Sequence, residues 1–203
     1  MELKTFTASR EKTDGATDQK ETAWINDKWA QYLGYYKKIP ELKRAIDAKA
    51  TWTIGKGFKA DDETTLILDT IKGWGKDTFN TILENMIRTY NIGGDAFCEI
   101  IRDDEDNLIN LKPLDPATIK IIVNRKGVIL RYEQTSKTKS PNRKIDKENI
   151  FHLARNRVAD EIHGQSLIEE LEELILSRNE AMADWRRVLH RNIDPLWIFH
   201  MDT

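Results

Sequence analysis

The sequence predicts an α+β fold, and three observations carry that reading. Apolar residues recur at helical spacing from Leu42 to Tyr90, then mostly at every second position from Ala96 to Leu153. Beyond Ser166 the helical spacing returns and continues to Asn192, interrupted only by Arg178. Helices that precede and follow a block of strands, instead of alternating with them, mark an α+β chain.

The chain has 203 residues, 39% of them hydrophobic and 33% charged, enough for one domain or one and a half with a real core. A net charge of −2 provides no global basic field, which argues against a whole-surface nucleic-acid binder and leaves only local contacts. The single cysteine, Cys98, excludes an internal disulfide and a multi-cysteine metal site. No apolar run is long enough to span a bilayer and no signal-peptide core follows Met1, so a reducing, cytoplasmic setting away from membranes is expected.

Residues 1–22 hold Leu3 and Phe6 among mostly small, polar and charged side chains, a composition that reads as a flexible arm. Trp24, Trp29, Tyr32, Tyr35 and Tyr36 follow as a dense aromatic cluster. Two readings of it stay open: a helix packed on its own core, or aromatics docked on a neighbouring chain, where such residues are enriched. Pro40 suits the first position of a helix carrying Leu42, Ala45, Ile46 and Lys49. The chain is expected to turn extended at Thr51–Ile54. A short helix over Asp62–Lys72 puts Ile67, Ile71 and Trp74 on one side. Phe79, Ile82, Leu83, Met86, Ile87 and Tyr90 define the cleanest helix, with Asp77 as the expected cap and Gly93-Gly94 as its end.

Ala96–Arg102 and Leu108–Leu111 read as one hairpin about an acidic tip. Thr118–Val123 and Val128–Thr135 read as a second, turning at Asn124–Gly127. A basic loop holds Lys137, Lys139, Arg143, Lys144 and Lys147, and Ile150–Leu153 is a last short strand. After the turn at His163-Gly164, Ser166 and Glu169 have the spacing of a capping box. Leu167, Leu171, Leu174, Ala181, Trp185 and Val188 then form an apolar stripe along a helix of Ser166–Asn192. Acidic residues crowd its first half and Arg186, Arg187 and Arg191 its end, which suits the helix dipole. Leu174→Asp is expected to unseat this helix, and a change at Asp104 to be near neutral. Pro195 stops the helix ahead of the apolar run Leu196–Phe199.

No catalytic constellation emerges. Gly55-Lys56-Gly57 lacks the further glycines and the Lys-Ser or Lys-Thr of a phosphate loop. The four histidines, His152, His163, His190 and His200, lack helical metal-ligand spacing. The run Asp103–Asp106 lacks the alternation, the central glycine and the distal Glu of a calcium loop. One enzymatic alternative survives, a metal-dependent nuclease built on Asp95, Glu99 and His152. It requires those side chains to converge within about 5 Å.

Three stretches carry a resemblance. Tyr36–Phe58 (YKKIPELKRAIDAKATWTIGKGF), Gly93–Ile122 (GGDAFCEIIRDDEDNLINLKPLDPATIKII) and Ile150–Leu167 (IFHLARNRVADEIHGQSL) stand in an order that resembles the portal proteins of tailed bacteriophages and related tailed viruses. The resemblance implies a structural subunit without catalytic residues, cofactor or metal. It implies a ring, usually of twelve copies, at one capsid vertex of the virion, assembled in the host cytoplasm. Double-stranded DNA would pass through the axial channel without its sequence being read, driven by a terminase whose large subunit docks there. Capsid and head–tail adaptor proteins are the other implied partners. A protein-only adaptor is a further alternative.

By the same resemblance, residues 23–165 correspond to a wing-like domain, 166–192 to a stem helix and 193–203 to the start of a clip strand, with Thr203 at an apparent truncation. The candidate subunit contacts are then Trp24, Trp29, Tyr32, Tyr35 and Tyr36, together with Leu167, Leu171, Leu174, Trp185 and Val188. Arg186, Arg187 and Arg191 are candidates for contact with DNA.

Overall fold

The computed structural model describes residues 21–135 and 141–193. Most of the expected arm, Lys137 and Lys139 of the basic loop, and the run Leu196–Phe199 lie outside the described residues. Glu21 and Thr22, assigned to the arm from sequence, instead open the first strand, β1 (Glu21–Ile25). Four helices follow: α1 (Trp29–Lys38), α2 (Pro40–Ile54), α3 (Asp62–Thr70) and α4 (Phe79–Gly93). Then come β2 (Asp95–Arg102), β3 (Leu108–Leu114), β4 (Ile119–Asn124), β5 (Ile129–Gln134), β6 (Arg143–Asp146) and β7 (Ile150–Ala154). The long helix α5 (Leu167–Ile193) is the last described element. The order is the expected α+β one.

Local chemistry sets most of these boundaries. Pro40 begins α2, where its missing N–H costs nothing. Thr51–Ile54, expected to be extended, completes α2, because Leu42, Ile46 and Ala50 form one buried seam that carries the helix onward. The Thr51 hydroxyl also donates to Glu84 of α4 at 2.8 Å, so tertiary contact overrides the β-branched residues' weak helix preference. Thr78, not Asp77, caps α4 in a reciprocal box with Thr81. Asp77 instead accepts the Trp74 N–H. Of the face expected on α3, Ile71 is buried at the end of the helix, whereas Ile67 and Trp74 are exposed.

Both sheets are antiparallel; one has the order β1-β4-β5-β6 and the other β3-β2-β7. The acidic tip Asp103–Asn107 is a tight turn in which the Asp103 carboxylate accepts from the backbone N–H groups of Glu105 and Asn107. β6 was not expected. It forms because Ile145 is buried beside Tyr132, its partner on β5.

β2 lies at the centre and is buried on both faces along Asp95–Glu99. Ala96 and Cys98 join Ile71, Ile82 and Met86 in a core against α4. Phe97 faces a second core, with Ile121 and Tyr132 from the other sheet and Ile162. A third core gathers Trp29, Tyr32, Tyr36, Leu42, Ile46 and Ile92 with Ile168 and Ile175 of α5.

The buried seam of α5 is therefore Ile168 and Ile175, with Leu167 and Leu171 half-buried beside it. Leu174, expected in the seam, is 67% exposed, and its face turns away from the domain. Ile175→Ala is expected to cost about 2–4 kcal/mol through lost burial and a residual cavity, and Leu174→Asp less than about 0.5 kcal/mol. Urea unfolding of the two variants checks the order.

Candidate assembly site

The start of α5 is fixed by a buried polar cluster. Asp95, the first residue of β2, is fully buried, and both of its carboxylate oxygens are occupied. One accepts from His163 Nδ1 at 2.6 Å. The other accepts from His152 Nε2 at 2.9 Å and from the Gly164 N–H at 3.0 Å. The other ring nitrogen of His152, Nδ1, lies 3.3 Å from the Tyr132 hydroxyl. Phe97 stacks on the His152 ring with centroids 4.5 Å apart. Burial pushes the Asp95 carboxyl up, but the hydrogen bonds from His152 and His163 outweigh it and hold the pKa below the ordinary value.

Backbone contacts complete the anchor. Gly94 ends α4 at φ 83°, in the left-handed region that favours glycine. A Cβ there would strike the Gly164 carbonyl, and one on Gly164 would strike Gly94 and Arg155. Arg155 N–H donates to the Gly94 carbonyl and Gln165 N–H to the Arg155 carbonyl. Ser166, the expected cap, accepts from Ile168 N–H and donates to the Ile92 carbonyl. Its expected partner Glu169 bonds Lys28 at 2.8 Å instead, so the capping box does not form.

From this anchor α5 runs for 27 residues, about 40 Å. Its first turns are held by the Ile168–Ile175 seam, by Gln31 on Glu172 and by Arg178 on Glu41. Beyond Arg178 every residue to Arg191 is exposed. Met182, Trp185, Val188 and Leu189, with Leu174 and Leu176 before them, present large apolar side chains that the described residues leave uncovered. Trp185 alone is 62% exposed.

The expected contacts divide into two groups. Trp29, Tyr32 and Tyr36 belong to the chain's own core, which corrects their assignment to an interface: a side chain already enclosed cannot face a neighbour. Trp24 and Tyr35 are half-buried and pack against cores of the same chain, as do Leu167 and Leu171. Leu174, Trp185 and Val188 remain open, and Leu176, Met182 and Leu189 join them, which the single stripe did not include. Arg186, Arg187 and Arg191 are exposed towards the far end, with Arg187 bonded to Asp184 at 3.2 Å. The nuclease constellation fails to assemble. Glu99 lies four residues along β2 from Asp95, roughly 13 Å away, and is bound by the Arg143 guanidinium through both carboxylate oxygens. Among the described residues no three His, Cys, Asp or Glu side chains form a metal-binding group.

The sequence model of the family described as phage portal protein matches residues 71–203, more than half of the chain. The chain belongs to the phage portal protein family. No curated protein matches its sequence. Similar solved structures include the neck of a native gene transfer agent particle computed with C12 symmetry, at 14% identity and a TM-score of 0.68 over 87% of this chain. The virion of a native gene transfer agent particle gives 14% identity and a TM-score of 0.67 over 85% of it. The neck of an empty particle computed with C6 symmetry gives 14% and 0.65, again over 85%. At such identity the likeness is one of fold. The portal chain described here spans 48%, 46% and 48% of those chains, about half their length.

The anchor has a pH signature. Because the folded pKa of Asp95 is depressed, its contribution is present above the ordinary carboxylate pKa and is lost as pH falls through the folded value. Asp95→Asn is expected to cost about 1–3 kcal/mol at pH 7, the scale for leaving a buried donor unmet. The deficit should shrink below about pH 4, where an unfolded aspartate is protonated. Denaturant melts of both proteins at pH 7 and pH 3 read this out.

Proposed function

We propose that this chain is the wing-and-stem part of a portal subunit, and that copies of it form a ring around a channel for double-stranded DNA at a capsid vertex. The observation that carries the reading is the far half of α5: an anchored helix that projects an apolar stripe which nothing among the described residues covers. A contiguous stripe of this kind marks an interaction surface, unlike scattered exposed apolar residues. Each Val- to Phe-sized side chain taken out of water contributes about 1.5–3 kcal/mol, so covering Leu174, Met182, Trp185 and Val188 would strongly favour association. The C12 and C6 symmetries of the structurally similar necks support closure of such contacts into a ring, twelve-fold by preference.

In this assignment residues 23–165 serve as the wing, 166–192 as the first stem helix and 193–203 as the entry to the clip. DNA passes without base readout, since contacts limited to phosphates carry no sequence information. Arg186, Arg187 and Arg191 are the side chains we assign to such contacts. Capsid, head–tail adaptor and terminase large subunit are the implied docking partners, and the role is structural, not enzymatic. A protein-only adaptor is distinguished by lacking an axial opening wide enough for a duplex.

Electron microscopy of the intact protein is expected to show rings with an axial hole. Trp185→Asp combined with Val188→Asp should abolish the rings and leave the thermal midpoint of the single subunit within about 2 °C, because both positions are exposed in the monomer. A monodisperse monomer from the unmodified protein at high concentration would overturn the proposal.

A further inference from the structure

A cleft separates the β1–α1 connection, Ala23–Lys28, from the turn leading into α5, and Tyr32, Glu161 and His163 line it. Its carboxylates outnumber its cations. Glu169 and Glu170 are paired with Lys28 and Arg155, whereas Asp27 and Glu161 have no ion-pair partner among the described residues.

Two buried polar atoms of the lining also lack hydrogen-bond partners among the described residues: His163 Nε2 and Trp24 Nε1. Tyr32 is only 2% exposed, and its hydroxyl meets Lys28. His163 Nδ1 faces Asp95, so its Nε2 is the ring nitrogen turned to the cleft. Carboxylates without a cation call for an occupant rich in donors, and lysine and arginine side chains only donate. Trp24 Nε1 requires an acceptor, which the backbone carbonyls of a turn supply.

A surface of that chemistry lies at the other end of α1. Lys37, Lys38, Lys43 and Arg44 are all exposed around the α1–α2 turn, and none forms an ion pair among the described residues. The carboxylates nearest in sequence are already bound, Glu41 by Arg178 and Asp47 by Arg88. The 10 residues of α1 hold the basic corner about 15 Å from the acidic cleft, too far for one copy to join them. A head-to-tail ring requires two different, complementary patches on every subunit.

Resting on the portal reading, we infer that in the assembled ring the basic corner of one copy, Lys37, Lys38, Lys43 and Arg44, enters the acidic cleft at Asp27 and Glu161 of the next. This contact fixes the order of copies around the ring, complementing the less directional apolar stripe of α5.

Charge reversal tests the pairing. Intact protein carrying Asp27→Lys with Glu161→Lys, or Lys38→Glu with Lys43→Glu, should need at least about tenfold more protein to form rings by native mass spectrometry, as expected when close charge pairs are reversed. Circular dichroism melts of the single subunits should be unchanged, since all four positions are exposed. The quadruple variant, with both patches reversed, should regain rings at the original concentration. Single-sided variants that assemble like the unmodified protein, or a quadruple variant that stays dispersed, would overturn the inference while leaving the portal reading intact. Absence of rings from the unmodified protein would instead remove the portal reading.

Discussion

The structure turns on one buried carboxylate. Asp95 joins the first residue of the central strand, the last strand of its sheet and the turn that launches α5, through His152, His163 and the Gly164 N–H. An ionised group removed from water is tolerated only when its lone pairs are met, so each of these donors is held in a narrow geometry. That requirement reaches the backbone: Gly94 and Gly164 touch where neither could carry a side chain. The direction in which the long helix leaves the domain is thus set by hydrogen bonding at its root together with the Ile168–Ile175 seam of its first turns.

Along α5 the sources of order change. The first turns are bound to the chain's own core by Ile168 and Ile175 and by ion pairs to α1 and α2. The later turns have no tertiary contacts of this kind among the described residues, and helices without tertiary packing are marginal in water. Trp185 and Val188, presented to solvent on this helix, are the side chains on which the proposed contact between copies rests. In the domain that anchors it, Trp29, Tyr32 and Tyr36 are enclosed.

Much of the fold was legible because periodicity reports directly on local structure. The α4 helix, both hairpins and the long helix follow from spacing, and glycines or short polar runs mark several of their ends. Other features depended on contacts distant in sequence. Asp95, His152 and His163 lie far apart in the chain, and only the topology of β2 and β7 brings them together. The buried seam of α5 was misplaced by one residue, Leu174 for Ile175, because a helix with apolar residues on several faces does not reveal which face its own domain takes. Likewise the aromatic cluster could not declare from sequence whether it closed a core or awaited a partner. The nuclease reading had the right residue types, and it failed on Glu99, whose position along the strand gives it to Arg143.

Cys98 offers a practical consequence. It is fully enclosed between β2 and α4, and burial pushes its thiol up to about 12, so almost none is thiolate at neutral pH. Maleimide dyes and spin labels should therefore pass over the native sulfur. A cysteine introduced on the uncovered face of α5 would become the single reactive handle, allowing neighbouring copies to be followed by fluorescence or magnetic resonance in an otherwise unaltered chain.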